Sequence, residues 1–196
     1  MKKYAVEFFG TAMLTLAVMA SIAGIVSIPT VLVAGYTLGL LVYTVSHISG
    51  THLNPAVTAG LWSIGKIKSA EAGKYIVAQF LGAGLAMLVL RLLGSSLPAL
   101  TVTDSLPVFL AEAIGTLFFA FGIAAVATGK VQSLLSGLVI GGSLIVGAVL
   151  ASIASNGILN PVIAWGINSP SLTYLLAPVV GAVAGMKLFV WFSGRD

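Results

Sequence analysis

The chain has 196 residues, 59% of them hydrophobic and 7% charged, with mean hydropathy +1.13 and no cysteine. So few charges cannot cover the surface of a water-soluble domain, and the composition specifies an integral membrane protein. The net charge of +4 comes without a basic run interleaved with aromatics, which excludes a nucleic-acid partner; the lack of cysteine excludes disulfides, thiol catalysis and thiolate metal sites.

Six apolar stretches approach the roughly 20 residues a helix needs to cross the hydrocarbon. The first covers residues 4–28. Lys2-Lys3 ahead of an apolar run could open a secretory signal, but Glu7 interrupts the run and the segment recurs later, so it reads as an uncleaved first span. The second covers residues 30–48. It is followed by Ser49-Gly50-Thr51-His52-Leu53-Asn54-Pro55-Ala56-Val57 and by an apolar stretch, residues 54–64, too short to span. The third, fourth and fifth cover residues 72–93, 108–128 and 133–153. A second motif, Ser155-Asn156-Gly157-Ile158-Leu159-Asn160-Pro161-Val162-Ile163, opens another short stretch, residues 160–167, before the sixth span at 172–192. Asn is a good helix N-cap, and Pro fits a first helical turn because its missing N–H would be unpaired there. Each Asn-Pro therefore reads as the start of a half-helix.

Basic residues set the orientation. With six spans, Lys2, Lys3, Lys66, Lys68, Lys74, Lys130, Lys187 and Arg195 share one side, and only Arg91 falls on the other. The positive-inside rule makes the shared side, with both termini, cytoplasmic. The expected location is the cell (plasma or inner) membrane.

The chain also reads as a duplication within one channel domain. Glu7-Phe8-Phe9-Gly10-Thr11 matches Glu112-Ala113-Ile114-Gly115-Thr116, the Asn-Pro motifs match, and Tyr75–Ala83 echoes Tyr174–Ala182. The halves, residues 1–95 and 106–196, each hold three spans and one half-helix. Three is odd, so the halves enter the membrane from opposite sides as an inverted repeat.

A helix of about 8–10 residues is roughly 12–15 Å long, half the hydrocarbon thickness. The two half-helices should therefore meet tip to tip at the membrane centre. Gly50, Thr51, His52 and Leu53, and likewise Asn156, Gly157, Ile158 and Leu159, reach that depth without helix. Such backbone is tolerated only where protein buries it or water reaches it. These residues are expected to line a pore with a carbonyl ladder. Each helix tip carries roughly half a positive charge, an electrostatic barrier to cations, while Asn54 and Asn160 offer amide donors to a neutral solute.

These motifs, with Ala-Gln-x-x-Gly-Ala at residues 78–83, make the chain resemble the aquaporin and glycerol-facilitator (major intrinsic protein) family along essentially its whole length. The resemblance implies signature motifs at Asn54-Pro55-Ala56 and Asn160-Pro161-Val162, a homotetramer with one pore per subunit, and passage of water and small neutral solutes. It also implies an outer selectivity constriction at Ala34, Ala148, Gly157 and Ile163, with Gly147 an alternative to Ala148. Efficient water-selective members would usually place an aromatic, a His and an Arg there. Here Ile163 replaces the Arg, and Ala164 stands where glycerol-type members often have Asp. The expectation is a wide, weakly selective pore for solutes of the glycerol, urea, ammonia or peroxide class.

Glu7 and Glu112 are acids inside spans. They could relay protons in a coupled transporter or brace the half-helix of their own repeat; symmetric placement and the resemblance favour bracing. His47 and His52 lack a third nitrogen ligand or a carboxylate cluster, so no metal and no cofactor is expected, and His47 reads as a polar pore-wall residue. Gly35-x-x-x-Gly39, Gly137-x-x-x-Gly141 and Gly181-x-x-x-Gly185 read as close helix crossings. Tyr75 and Gln79 are given packing roles, and the three tryptophans interface or gap-filling ones. No Ser–His pair, paired Asp or His-Glu motif lies within a span, so an enzyme is not expected. A structural homologue that has lost conductance is a further reading.

Overall fold

The computed structural model describes every residue except Ala99, Thr101, Thr103, Arg195 and Asp196; Arg195, one of the orienting charges, thus lies outside the described residues. The chain folds into long helices α1 (Lys2–Ile22), α2 (Thr30–Ser49), α4 (Ser69–Leu92), α5 (Leu106–Ala127), α6 (Ser136–Ala151) and α8 (Leu172–Ser193), with two short ones, α3 (Pro55–Ser63) and α7 (Pro161–Gly166). A 3₁₀ turn, Ser133–Leu135, leads into α6. All six long elements, counting that turn with α6, are long and apolar enough to cross a membrane. The fold is therefore all-helical, with six spans and two re-entrant half-helices.

Local chemistry sets the boundaries. The first span stops at Ile22, six residues before the apolar run ends, and Gly24 follows with φ +72°. That left-handed conformation suits glycine and turns the chain before Pro29. α5 begins at Leu106 rather than Val108 because Pro107 fits its first turn and Ser105 Oγ accepts from Val108 N. In both half-helices Pro follows the capping Asn, and the Asn side-chain oxygen accepts the N–H two residues on, from Ala56 at 2.8 Å and from Val162 at 3.2 Å.

The half-helices run in opposite directions. Gly60 in α3 packs beside Met186, late in α8, whereas Gly166 at the end of α7 packs beside Met19, late in α1. Spans one and six are antiparallel, so those two ends lie on opposite faces of the bundle. On the face away from the termini, the α4–α5 connection is tied down by the Ser169 hydroxyl donating to Leu100 O and by Thr173 N donating to Asp104 Oδ1 at 3.0 Å. Hydrogen bonds from the Thr173 hydroxyl and N–H hold the Asp104 carboxyl below the usual carboxylate range.

Glycines carry close helix crossings. Gly35 and Gly39 of α2 face Gly141 and Gly137 of α6, so that a Cβ at Gly35 would sit 2.7 Å from Gly141 O and one at Gly39 would sit 2.8 Å from Gly137 O. Gly181 and Gly185 of α8 meet Ala113 and Leu117 of α5 in the same manner. Replacing Gly39 by Val should push α2 off α6 and lower the melting temperature in detergent, an overpacking cost of about 1–3 kcal/mol. A thermal-shift assay by size-exclusion fluorescence reads it; an unchanged midpoint would contradict the crossing.

Candidate functional site

The two non-helical segments are held in conformations that residues with side chains rarely adopt. Thr51, Leu53 and Leu159 have φ of +52°, +49° and +54°, and each such residue costs about 1–3 kcal/mol. The compensation comes from two buried carboxylates. Glu7 Oε1 accepts from His52 N (3.0 Å) and the Ser49 hydroxyl (2.8 Å), and Oε2 from Leu53 N (2.8 Å) and Gln79 Nε2 (2.9 Å). Glu112 Oε1 accepts from Ile158 N (3.0 Å) and the Ser155 hydroxyl, and Oε2 from Leu159 N (2.8 Å). Both side chains are fully buried. Each carboxylate thus grips the backbone of the strained segment beside it.

Further polar side chains complete the grip. Tyr75 donates its hydroxyl to Ser49 O at 2.8 Å, and Gln79 also reaches Thr58 Oγ1 at 3.1 Å. His52 Nδ1 lies 3.1 Å from the same Thr58 hydroxyl, with its ring tilted against Tyr75. Ser155 Oγ lies near Tyr174 OH, which accepts from Asn156 Nδ2 at 3.0 Å. Sequence reasoning gave Tyr75 and Gln79 only packing roles and passed over Ser49, Ser155 and Thr58. A polar residue in an apolar span, repeated as Tyr75 and Tyr174, was the available signal.

At the centre the two segments clasp each other. Asn54 Nδ2 donates to Leu159 O at 2.9 Å, and Asn160 Nδ2 donates to Leu53 O at 3.1 Å. Each amide thereby spends its oxygen on its own helix and one hydrogen on the opposite segment. One N–H of each remains, rather than the two that a freely lumen-facing amide would offer.

A cavity of about 380 Å³ reaches both asparagines from the face away from the termini. Ala34, Ala148, Gly157 and Ile163 all line it, as do His52, Leu53, Asn156 and Ile158. Gly147 instead packs against Gly115 of α5. Pro98 and Leu100 border the cavity on the outer side. Other expected positions are elsewhere. Gly50, Thr51 and Leu159 are outside the lining, as are Pro55, Ala56, Pro161 and Val162, which form the buried first turns of the half-helices. Glu7 and Glu112 are outside it too. His47, expected on the pore wall, is exposed in the last turn of α2. The cavity borders α2 only as far as Leu38, and nine further residues of helix carry His47 roughly 13 Å beyond it. Trp62, Trp165 and Trp191 are exposed and do not line the cavity. Among the described residues no group of three His, Cys, Asp or Glu could hold a metal ion.

Residues 1–189 match the sequence profile of the Major intrinsic protein family. The chain belongs to that family. It is 32% identical to Aquaporin NIP1-1 of Arabidopsis thaliana, over 96% of this chain and 73% of that protein. It is 34% identical to Nodulin-26 of Glycine max, over 96% and 77%, and 29% identical to Aquaporin Z of Bradyrhizobium diazoefficiens, over 98% and 94%. The X-ray structure of the aquaglyceroporin from Plasmodium falciparum superposes with a TM-score of 0.75 at 23% identity, covering 97% of this chain and 93% of that one, and so shares the fold. As a major intrinsic protein the chain is a multi-pass membrane channel for water and small solutes, not an enzyme.

The donor inventory of the two carboxylates predicts unequal mutants. At position 7 the NH₂ of a Gln amide faces a backbone N–H and also a side-chain partner that must reorient whichever oxygen it replaces, whereas at position 112 it can take the place that meets Leu159 N alone. Both Glu7→Gln and Glu112→Gln should lower the melting temperature, Glu7→Gln by more, since each unsatisfied buried group costs about 1–3 kcal/mol. Equal or reversed shifts would refute the assignment.

Proposed function

We propose that this channel is a wide, weakly selective passive pore for small neutral solutes, of the glycerol, urea, ammonia or peroxide class, with water passing as well. The observation that carries this reading is the chemistry of Ala34, Ala148, Gly157 and Ile163 around one cavity. None of the four brings a ring or a charge. Small apolar side chains widen a constriction, and the absence of a guanidinium there removes both donors and a fixed positive charge.

Ion exclusion then falls to the centre. Two helix N-termini converge there, each worth roughly half a positive charge, and a cation would have to shed water against that field. Asn54-Pro55-Ala56 and Asn160-Pro161-Val162 act as the paired signature motifs, with residues 1–95 and 106–196 as inverted repeats. Glu7 and Glu112 brace the loops; their burial away from the cavity, with oxygens engaged by donors, argues against a coupled transporter using them to carry protons. The basic residues favour cytoplasmic termini in the plasma or inner membrane. Following the family resemblance, four copies assemble with one pore each.

Purified protein in liposomes should pass water, glycerol and urea down their gradients, independent of proton or sodium gradients, in a swelling assay. Water flux with no glycerol or urea flux would defeat the wide-pore reading. Ile163→Arg should lower glycerol and urea flux roughly tenfold, equivalent to about 1.4 kcal/mol on the barrier, and water flux by much less. An unchanged ratio would remove Ile163 from the constriction.

A further inference from the structure

The mostly apolar lining of the cavity beside the constriction has few free hydrogen-bond donors. Of the loop N–H groups at the cavity, Ile158 N and Gly157 N are turned toward Glu112 and Ser155 Oγ. The Ser21 hydroxyl donates to Ile28 O at 3.0 Å, which leaves the Thr30 hydroxyl as the donor in its 2.9 Å contact with Ser21. Both protons are spent. Apart from the central asparagines and His52, one lining side chain remains with a hydrogen-bond donor to spare: Asn156.

Its amide is held in place from behind. Nδ2 donates one hydrogen to Tyr174 OH at 3.0 Å, and Tyr174 is itself fully buried beside the Ser155–Glu112 pair. Asn156 Oδ1 and the second N–H have no partner among the described residues. Asn156 is an exposed residue that lines the cavity beside Gly157, and its amide keeps one acceptor and one donor unspent.

We infer that Asn156 is a further specificity-determining residue beside the outer constriction, and that it favours planar amides of the urea type. The inference rests on the wide-pore reading and names the solute it serves. A polyol hydroxyl can give its proton to any backbone carbonyl on the way in, so a polyol does not need Asn156. A urea carbonyl only accepts, and the spare N–H of Asn156 is the donor placed to meet it. The urea N–H can at the same time donate to Oδ1 or to a loop carbonyl. Asn156 thus replaces the hydration that the amide oxygen gives up. Tyr174 acts as a positioning residue behind it.

The experiment is liposome swelling with urea, acetamide, glycerol and water as separate probes, on the wild type, Asn156→Leu, Asn156→Ala and Tyr174→Phe. Asn156→Leu keeps the branching and the number of side-chain heavy atoms and removes both hydrogen-bonding groups. It should lower urea and acetamide flux roughly fivefold, the scale of one net hydrogen bond, with glycerol and water changed less than about twofold. Tyr174→Phe should shift the urea-to-glycerol ratio in the same direction by a smaller factor. Asn156→Ala reads the same ratio if the Leu variant does not fold. Equal loss of urea and glycerol, or no loss of either, overturns the inference while leaving the wide pore standing. A wild type closed to both urea and glycerol overturns the two together.

Discussion

A carboxylate accepting two consecutive backbone N–H groups from a left-handed turn is the interaction on which the rest of this molecule depends. On its side turned away from the cavity, non-helical chain at mid-membrane depth has no water with which to satisfy its amides, and residues such as Leu53 and Leu159 resist positive φ. Glu7 and Glu112 answer both demands at once. With His52 and Leu53 N–H turned inward, and Ile158 and Leu159 likewise, the carbonyls of the same segments are free to turn the other way. The half-helix that follows is then aimed at the centre, where its Asn can reach across. Support and lumen are opposite faces of one short loop.

The arrangement is not fully symmetric. Gln79 gives Glu7 a fourth donor, whereas the matching position in the second half is Pro178, which has no amide to give. Thr58 links Gln79 and His52 in the first half, and Ala164 and Ile158 stand in the corresponding places of the second. The first loop is thus embedded in a polar network, while the second relies on its carboxylate, Ser155 and the Tyr174 phenol. The second loop is also the one that carries Asn156 and Gly157 to the cavity.

Much of this was visible in the residues themselves. The six spans, both half-helices and the pairing of each Glu with its own loop follow from hydropathy, from Asn-Pro capping chemistry and from the repeated Glu-x-x-Gly-Thr. The positions reading as a constriction were placed by counting from the motifs, and all four border the cavity. The clasp between Asn54 and Leu159 joins residues 105 apart, and no local period encodes a bond of that span. His47 lies beyond the end of the cavity; polarity near a motif says nothing of where along a helix a cavity stops. Tyr75 and Gln79 were undervalued because an isolated polar residue in an apolar helix does not announce its partner. Asn156 needed Tyr174 behind it before its free edge could be seen.

The α2–α6 crossing through paired glycines has a consequence for how the sieve can change. Backbone-to-backbone contact fixes the spacing of the two helices that carry Ala34 and Ala148, so neither alanine is needed to hold the wall in place. Side chains at those positions can grow or shrink with little disturbance to the frame. A lineage, or a protein engineer, could retune what such a conduit admits by exchanging a few lining groups while the architecture stays put.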